Sequence, residues 1–124
     1  MSYFADLTPH TYTSTDDKPV VNIGWLSAAH PFPTGESSVE FRDALRRLCE
    51  HPIYLYRGFH QCEFCSDPVL GNGQIRIKGH DDVWFAAPVL IHHYVVEHSY
   101  LPPPQFIAAI VKAGRAMRDR ESDL

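Results

Sequence analysis

Two cysteines and two histidines in the middle of the chain have the residue types and spacing of a zinc site. Cys62 and Cys65 are separated by two residues, and His93 and His98 follow after 27 intervening residues with four residues between them. A Cys-x-x-Cys turn directs two thiolates at one ion, and structural zinc prefers a closed tetrahedron of sulfur and nitrogen ligands. The gap is longer than in a nucleic-acid zinc finger. The pattern therefore predicts zinc bound by Cys62, Cys65, His93 and His98.

Two other histidines compete for places in this site. His92 is adjacent to His93 and would face about 100° away from it on a helix. His60 stands two residues before Cys62, so a strand would place both side chains on one face. The spacing leaves open a three-ligand site that uses His60, or a site in which His60 replaces His98.

A catalytic metal is the alternative interpretation, because a catalytic zinc keeps three protein ligands and one open position. Glu97, next to His98, is then the candidate general base. The spacing is not the His-Glu-x-x-His of zinc proteases, so we assign no catalytic residue. A redox Cys-x-x-Cys is disfavoured, because that chemistry uses a helix start, and Pro68, Gly71 and Gly73 follow the pair here.

Length and composition indicate a single globular domain over residues 1–124. The hydrophobic fraction is 44% and the charged fraction 21%, both ordinary for a soluble protein. The net charge of -4 argues against a nucleic-acid-binding surface, which is normally basic. Arg42, Arg46 and Arg47 form a local basic group, which we interpret as a solvated helix face.

The cysteine usage and the chain start favour the cytoplasm. The opening residues lack the basic start and apolar run of a secretory signal. The longest apolar stretch, 83–91, contains Pro88 and is too short to cross a membrane. In a reducing compartment, paired cysteines favour metal binding over a disulfide. We predict that the third cysteine, Cys49, is a buried apolar residue on a helix.

The periodicity predicts an α+β fold with a small antiparallel sheet and about three helices. Strands are expected at 20–26, 53–59, 74–78 and 83–85, the last three forming a meander. Helices are expected after a capping box at Ser37 and Glu40, over 89–97 with Pro88 as first residue, and over 104–117. Residues 1–18 would form an extended arm and 118–124 a frayed tail.

Several stretches also resemble a family of small uncharacterised bacterial proteins of unknown function. The resemblance covers nearly the whole chain and rests on Tyr-Phe-Ala-Asp-Leu-Thr-Pro at 3–9, Tyr-Arg-Gly-Phe-His-Gln-Cys-Glu-Phe-Cys at 56–65, Gly-Asn-Gly at 71–73, and the His-His-Tyr and Tyr-Leu-Pro-Pro segments of 87–107. It implies no activity, but it implies that His60, Cys62, Cys65, His93 and His98 belong to one shared pattern. The cysteine turn, hairpin and following helix also resemble zinc-ribbon and treble-clef modules.

These observations favour a binding protein over an enzyme. The chain has no phosphate-binding glycine loop and no nucleophile elbow, and Gly71-Asn72-Gly73 reads as a turn. We therefore predict a non-enzymatic adaptor or regulatory protein that contains structural zinc and binds another protein. A zinc-dependent enzyme with Glu97 as general base is the second hypothesis. The sequence does not specify the partner or the oligomeric state.

Overall fold

The computed structural model describes residues 3–9, 19–53, 60–66 and 69–122. The helices in that part of the chain are α1 (Val39–Cys49), α2 (Ile91–His98) and α3 (Pro104–Ser122), with a 3-10 turn at His80–Asp82. The strands are β1 (Val20–Asn22), β2 (His60–Gln61), β3 (Leu70–Gly71), β4 (Gln74–Lys78) and β5 (Trp84–Pro88). The predicted α+β class is confirmed.

The main sheet has the strand order β1-β5-β4 and is mixed. Strands β4 and β5 are antiparallel, as the predicted meander requires, with Ile75 opposite Ala87. The expectation of a purely antiparallel sheet is wrong, because β1 pairs with β5 in parallel, with Val21 opposite Phe85. The predicted strand at 53–59 lies mostly outside the described residues. Strands β2 and β3 form a separate antiparallel pair.

Strand β1 is shorter than predicted because Gly24 interrupts it. Gly24 has a φ of 76°, in the left-handed region that favours glycine. A Cβ there would lie 2.7 Å from Cδ1 of Ile91, the first residue of α2. The backbone of Gly24 therefore turns away from the sheet and allows α2 to pack directly against it.

Helix α2 begins later than the sequence suggested. Pro88 is the last residue of β5, opposite Gln74, and the helix starts at Ile91. A proline is tolerated at a strand end because its missing N–H then costs little pairing. The backbone N–H of Val89 donates to the carbonyl of Gly73, which carries the chain from strand to helix.

Helix α1 is capped one residue later than predicted, and its capping box does not form. Ser38 is the N-cap, and its hydroxyl accepts from the backbone N–H of Phe41. Glu40 instead receives hydrogen bonds from Arg115 and Arg118 on α3. A side chain expected to stabilise its own helix end thus joins two helices. These pairs are exposed, so each contributes little to stability.

The core lies between the main sheet and the three helices. Its buried side chains include an aromatic pair, Phe41 of α1 and Phe106 of α3, whose rings meet edge to face at 6.4 Å. The largest fully buried apolar side chains are Tyr94, Tyr100, Phe41, Phe106, Ile23, Leu45, Ile91 and Ile110. Helix α3 continues past the predicted end at Met117 to Ser122. No helix in the described ranges is both long and apolar enough to cross a membrane.

One partly buried hydrogen bond fixes the N-terminal segment to the core. The phenol of Tyr100, which is fully buried, donates to Oδ2 of Asp6 at 2.7 Å. The other carboxylate oxygen of Asp6 accepts from the backbone N–H of Gly24 at 2.9 Å. Asp6 thus links residues 3–9, the end of β1 and the segment after α2.

We predict that Gly114→Ala destabilises the protein, although alanine is the better helix former. A Cβ at Gly114 would lie 2.6 Å from Cβ of Ala44, so α1 and α3 would have to separate. The overlap should outweigh the gain in helix propensity. The unfolding free energy should therefore fall by about 1–2 kcal/mol. Urea denaturation measures this loss. Ala44→Gly in the same chain should recover most of it, and a Gly114→Ala variant as stable as the parent would contradict the packing.

We also predict that the protein loses stability at alkaline pH, partly through Tyr100. Burial, followed by the nearby Asp6 carboxylate, raises the pKa of Tyr100 above its ordinary value of 10.0. The folded state therefore resists loss of the phenol proton, and stability declines as pH rises above 10.0. Tyr100→Phe should lose about 1 kcal/mol near neutrality but show a shallower alkaline decline. Urea denaturation at several pH values tests this, and an unchanged alkaline slope would refute it.

Candidate metal centre

The two cysteines lie on a tight turn that follows β2. The backbone N–H of Cys62 donates to the carbonyl of Val69 at 2.9 Å, which extends the pairing of β2 and β3 to the first cysteine. Glu63 and Phe64 then form the turn, and Cys65 follows it. The small two-stranded sheet therefore positions both thiols.

The two histidines lie on α2, His93 near its start and His98 at its last residue. Residues five apart on a helix differ by about 140° in direction and about 7.5 Å in height. The imidazole rings nevertheless converge, with centroids 5.0 Å apart and planes at 76°. Ser99 ends the helix in a left-handed conformation, so the chain turns away immediately after His98.

The structure brings Cys62, Cys65, His93 and His98 together. One ligand atom from each lies within 4.8 Å of the other three. The sulfur of Cys65 is 3.2 Å from Nε2 of His93 and 3.3 Å from Nε2 of His98. The sulfur of Cys62 is 3.4 Å from Nε2 of His98. In tetrahedral zinc with ordinary bond lengths, a sulfur and a nitrogen ligand lie roughly 3.6 Å apart. The four side chains would therefore have to move apart only slightly to bind the ion.

Hydrogen bonding between the four side chains requires the two sulfurs to share the single proton or lone pair at Nε2 of His98. An imidazole Nε2 has either one proton or one lone pair. The Nε2 of His98 faces both sulfurs, and the sulfur of Cys65 faces both imidazoles. A single cation at the centre would accept a lone pair from each of the four atoms. The geometry is therefore that of a possible metal site of composition Cys2His2.

The environment favours the protonation state that a metal needs. Cys62 is fully buried, and the other three side chains are half-buried. Burial, then the neighbouring His98, lowers the pKa of His93, so its imidazole stays neutral. A neutral imidazole is the metal-binding form. Two thiolates would balance the charge of a divalent ion, so a Cys2His2 site can be buried without net charge.

Aromatic packing holds the cysteine turn against α2. Phe64 lies between the two cysteines, and its ring meets Tyr94 edge to face at 5.9 Å. The same ring lies 5.2 Å from that of Phe32 and 5.3 Å from that of His98. This role of Phe64 was not predicted from the sequence. It could have been inferred from the presence of an aromatic residue in an otherwise polar turn, because such a side chain is favourable there only when a contact buries it.

Of the other candidate residues with described side chains, His92 lies outside the cluster. Burial, followed by Arg46, lowers the pKa of His92. Backbone atoms place His60 in β2, but its side chain is not among those described. Arg46 forms ion pairs with Asp43 and Glu50, which agrees with a solvated helix face.

An open hollow adjoins the cluster on one side. It measures about 500 Å³ and is lined by Phe64, Cys65, Ser66, Val69, His93 and Glu97. Glu97 is exposed and is not one of the four clustered residues. Two of the four clustered residues, Cys65 and His93, thus border solvent, whereas Cys62 does not.

The chain belongs to a family of unknown function. Residues 2–111 match the domain of unknown function DUF7919, and this segment includes all four clustered residues. No curated protein and no solved structure matches the chain. The expectation of an uncharacterised family is confirmed, and the site has to be interpreted from its own geometry.

We predict that the two adjacent histidines behave differently towards metal. His93→Ala should weaken the binding of cobalt(II), a spectroscopic substitute for zinc, by about 10-fold or more, because one of four ligands is lost. His92→Ala, the matched control, should keep the affinity and the absorption bands of a tetrahedral site with sulfur ligands. Titration of the metal-free protein with cobalt(II) measures both. Equal weakening by the two substitutions would exclude His93 as a specific ligand.

Proposed function

We propose that the protein binds one structural zinc ion through Cys62, Cys65, His93 and His98, and that it acts as a non-enzymatic adaptor or regulatory protein. The observation that carries the zinc proposal is the convergence of four ligand atoms within 4.8 Å. Two sulfurs and two nitrogens are a common ligand set for structural zinc, which has no geometric preference of its own and accepts a tetrahedron.

The number of ligands supports a structural metal over a catalytic one. Four protein ligands complete a tetrahedron, whereas a catalytic zinc keeps one position for water or substrate. The alternative function, a zinc-dependent enzyme with Glu97 as general base, gains some support from the open hollow beside Cys65, His93 and Glu97. It requires one of the four ligands to leave the metal.

The position of the ion supports a role in shaping a surface. The proposed zinc joins a turn on a two-stranded sheet to the end of α2, and three of its four proposed ligands are half-buried. Leu70 and Val96, next in sequence to residues that line the hollow, are exposed by 56% and 46%. A surface that carries exposed apolar side chains and is fixed by a metal suits recognition of a protein partner.

Removal of zinc should loosen this surface and lower the stability of the whole chain. We predict about one zinc per chain in protein purified without a metal-affinity tag, and loss of that zinc in the Cys62→Ser, Cys65→Ser double variant. The variant should lose roughly 2–4 kcal/mol of unfolding free energy, because binding energy of the metal contributes to folding. Elemental analysis and thermal denaturation measure both quantities. Cys49→Ala, the control, should keep its zinc.

The same pair of proteins tests the adaptor role. Zinc-loaded protein should capture a specific protein partner under native conditions, and the double variant should not. Failure of the zinc-loaded protein to capture any partner would contradict the adaptor role. Loss of zinc without loss of stability, together with a hydrolytic activity that Glu97→Gln abolishes, would instead establish the enzyme.

A further inference from the structure

The two cysteines of the cluster differ in access to solvent. Cys62 is completely buried, and its backbone N–H is paired with Val69. Cys65 is half-buried and lines the open hollow of about 500 Å³. A small reagent in solvent therefore reaches the sulfur of Cys65 before that of Cys62.

Cys65 also contacts more of the clustered side chains than Cys62 does. Its sulfur contacts the Nε2 atoms of both histidines, at 3.2 and 3.3 Å, whereas the sulfur of Cys62 contacts that of His98 at 3.4 Å. A change at Cys65 therefore disturbs the contacts of both imidazoles. Of these two sulfurs, the one that is more accessible to solvent is therefore also the one that contacts both imidazoles.

We propose that Cys65 is a modification site for neutral hydroperoxides that enter through the hollow, and that its oxidation to a disulfide with Cys62 releases the metal. This proposal rests on the zinc site of the proposed function. It adds a regulatory role to that site, because the exposed thiolate makes metal retention depend on the oxidant concentration.

The chemistry balances with hydrogen peroxide as the only oxidant. The Cys65 thiolate attacks one peroxide oxygen, the O–O bond breaks, and a sulfenic acid and one hydroxide form. The Cys62 thiolate then attacks the sulfur of Cys65, the S–O bond breaks, and a disulfide and a second hydroxide form. Two protons convert the hydroxides to water. Two electrons pass from the thiolates to peroxide, and zinc loses both sulfur ligands at once.

The short distance between the thiols favours the second step. The two sulfurs lie within 4.8 Å of each other, and the two-residue spacing is the one used by natural dithiol pairs. A small movement of the turn thus brings them to bonding distance. The Glu97 carboxylate on the wall of the hollow disfavours anionic reagents, so a neutral hydroperoxide is the favoured class of oxidant.

The third cysteine provides an internal reference. Burial raises the pKa of the Cys49 thiol to about 12, so this side chain remains a thiol at neutral pH. The thiolate is the reactive form of cysteine. Cys49 should therefore remain unmodified while Cys65 and Cys62 react.

The test uses the full zinc-loaded chain, and the zinc content is measured before any oxidant is added. Hydrogen peroxide is then added while a metal-sensitive dye records zinc release and mass spectrometry records each cysteine. We expect a Cys62–Cys65 disulfide to accumulate in step with released zinc, and reduction of the disulfide to restore zinc binding. A brief pulse of iodoacetamide should label Cys65 about ten times faster than Cys62, with Cys49 slowest.

A charge variant separates access through the hollow from general exposure. Glu97→Gln should raise the rate of Cys65 labelling by anionic iodoacetate, relative to neutral iodoacetamide, by about two- to threefold. Glu36→Gln removes an exposed charge that does not line the hollow and should leave this ratio unchanged. An equal effect of the two variants, or none from Glu97→Gln, would refute entry through the hollow.

The outcomes distinguish the two proposals. If the protein contains no zinc before peroxide is added, the result contradicts the proposed function and also the proposed release of the metal. Protein that holds zinc but keeps it after Cys65 is modified overturns this inference alone. Faster labelling of Cys62 than of Cys65 also overturns it, since the proposal requires the exposed sulfur to react first.

Discussion

The direct packing of α2 against the β1 end of the sheet is the constraint on which the rest of the structure depends. It exists because Gly24 has no side chain where Ile91 approaches, and a Cβ there would overlap Cδ1 of Ile91 at 2.7 Å. Ile91, Tyr94 and Val95 are buried on the inner face of α2. The core therefore fixes the helix, and the fixed helix determines where the two imidazoles lie.

The cysteine turn has much weaker support of its own. Strands β2 and β3 contain two residues each, and an isolated two-stranded hairpin is only marginally stable in water. The turn is attached through the ring of Phe64, which packs on Tyr94 and Phe32, and through the Glu63 carboxylate, which accepts from the backbone N–H of Ala28. The two halves of the site thus differ: α2 is packed along one face within the core, whereas the cysteine turn reaches the core mainly through Cys62 and Phe64. A metal between them would fix the weaker half.

The clustering of the four side chains could be predicted from sequence because each pair is encoded by local spacing. Cys62 and Cys65 share one turn, and His93 and His98 share one helix, so only the meeting of the pairs is long-range. The parallel pairing of β1 with β5 could not be predicted in this way, because it joins strands about 60 residues apart with no local signature. The cap at Ser38 was missed for a similar reason, since Glu40 is recruited by distant arginines of α3.

The arrangement also bears on the choice between a binding protein and an enzyme. An enzyme needs its reacting groups held on rigid elements, because small displacements of a catalytic group reduce the rate strongly. Here two of the four clustered residues lie on a turn between two strands of two residues each. The same feature suits the proposed surface whose shape depends on the metal, because most of the core side chains belong to the main sheet, the helices and the segments between them. A change limited to one surface alters what the protein binds without unfolding it. The arrangement of the site is therefore easier to reconcile with the proposed recognition role than with the alternative proposal of a catalytic one.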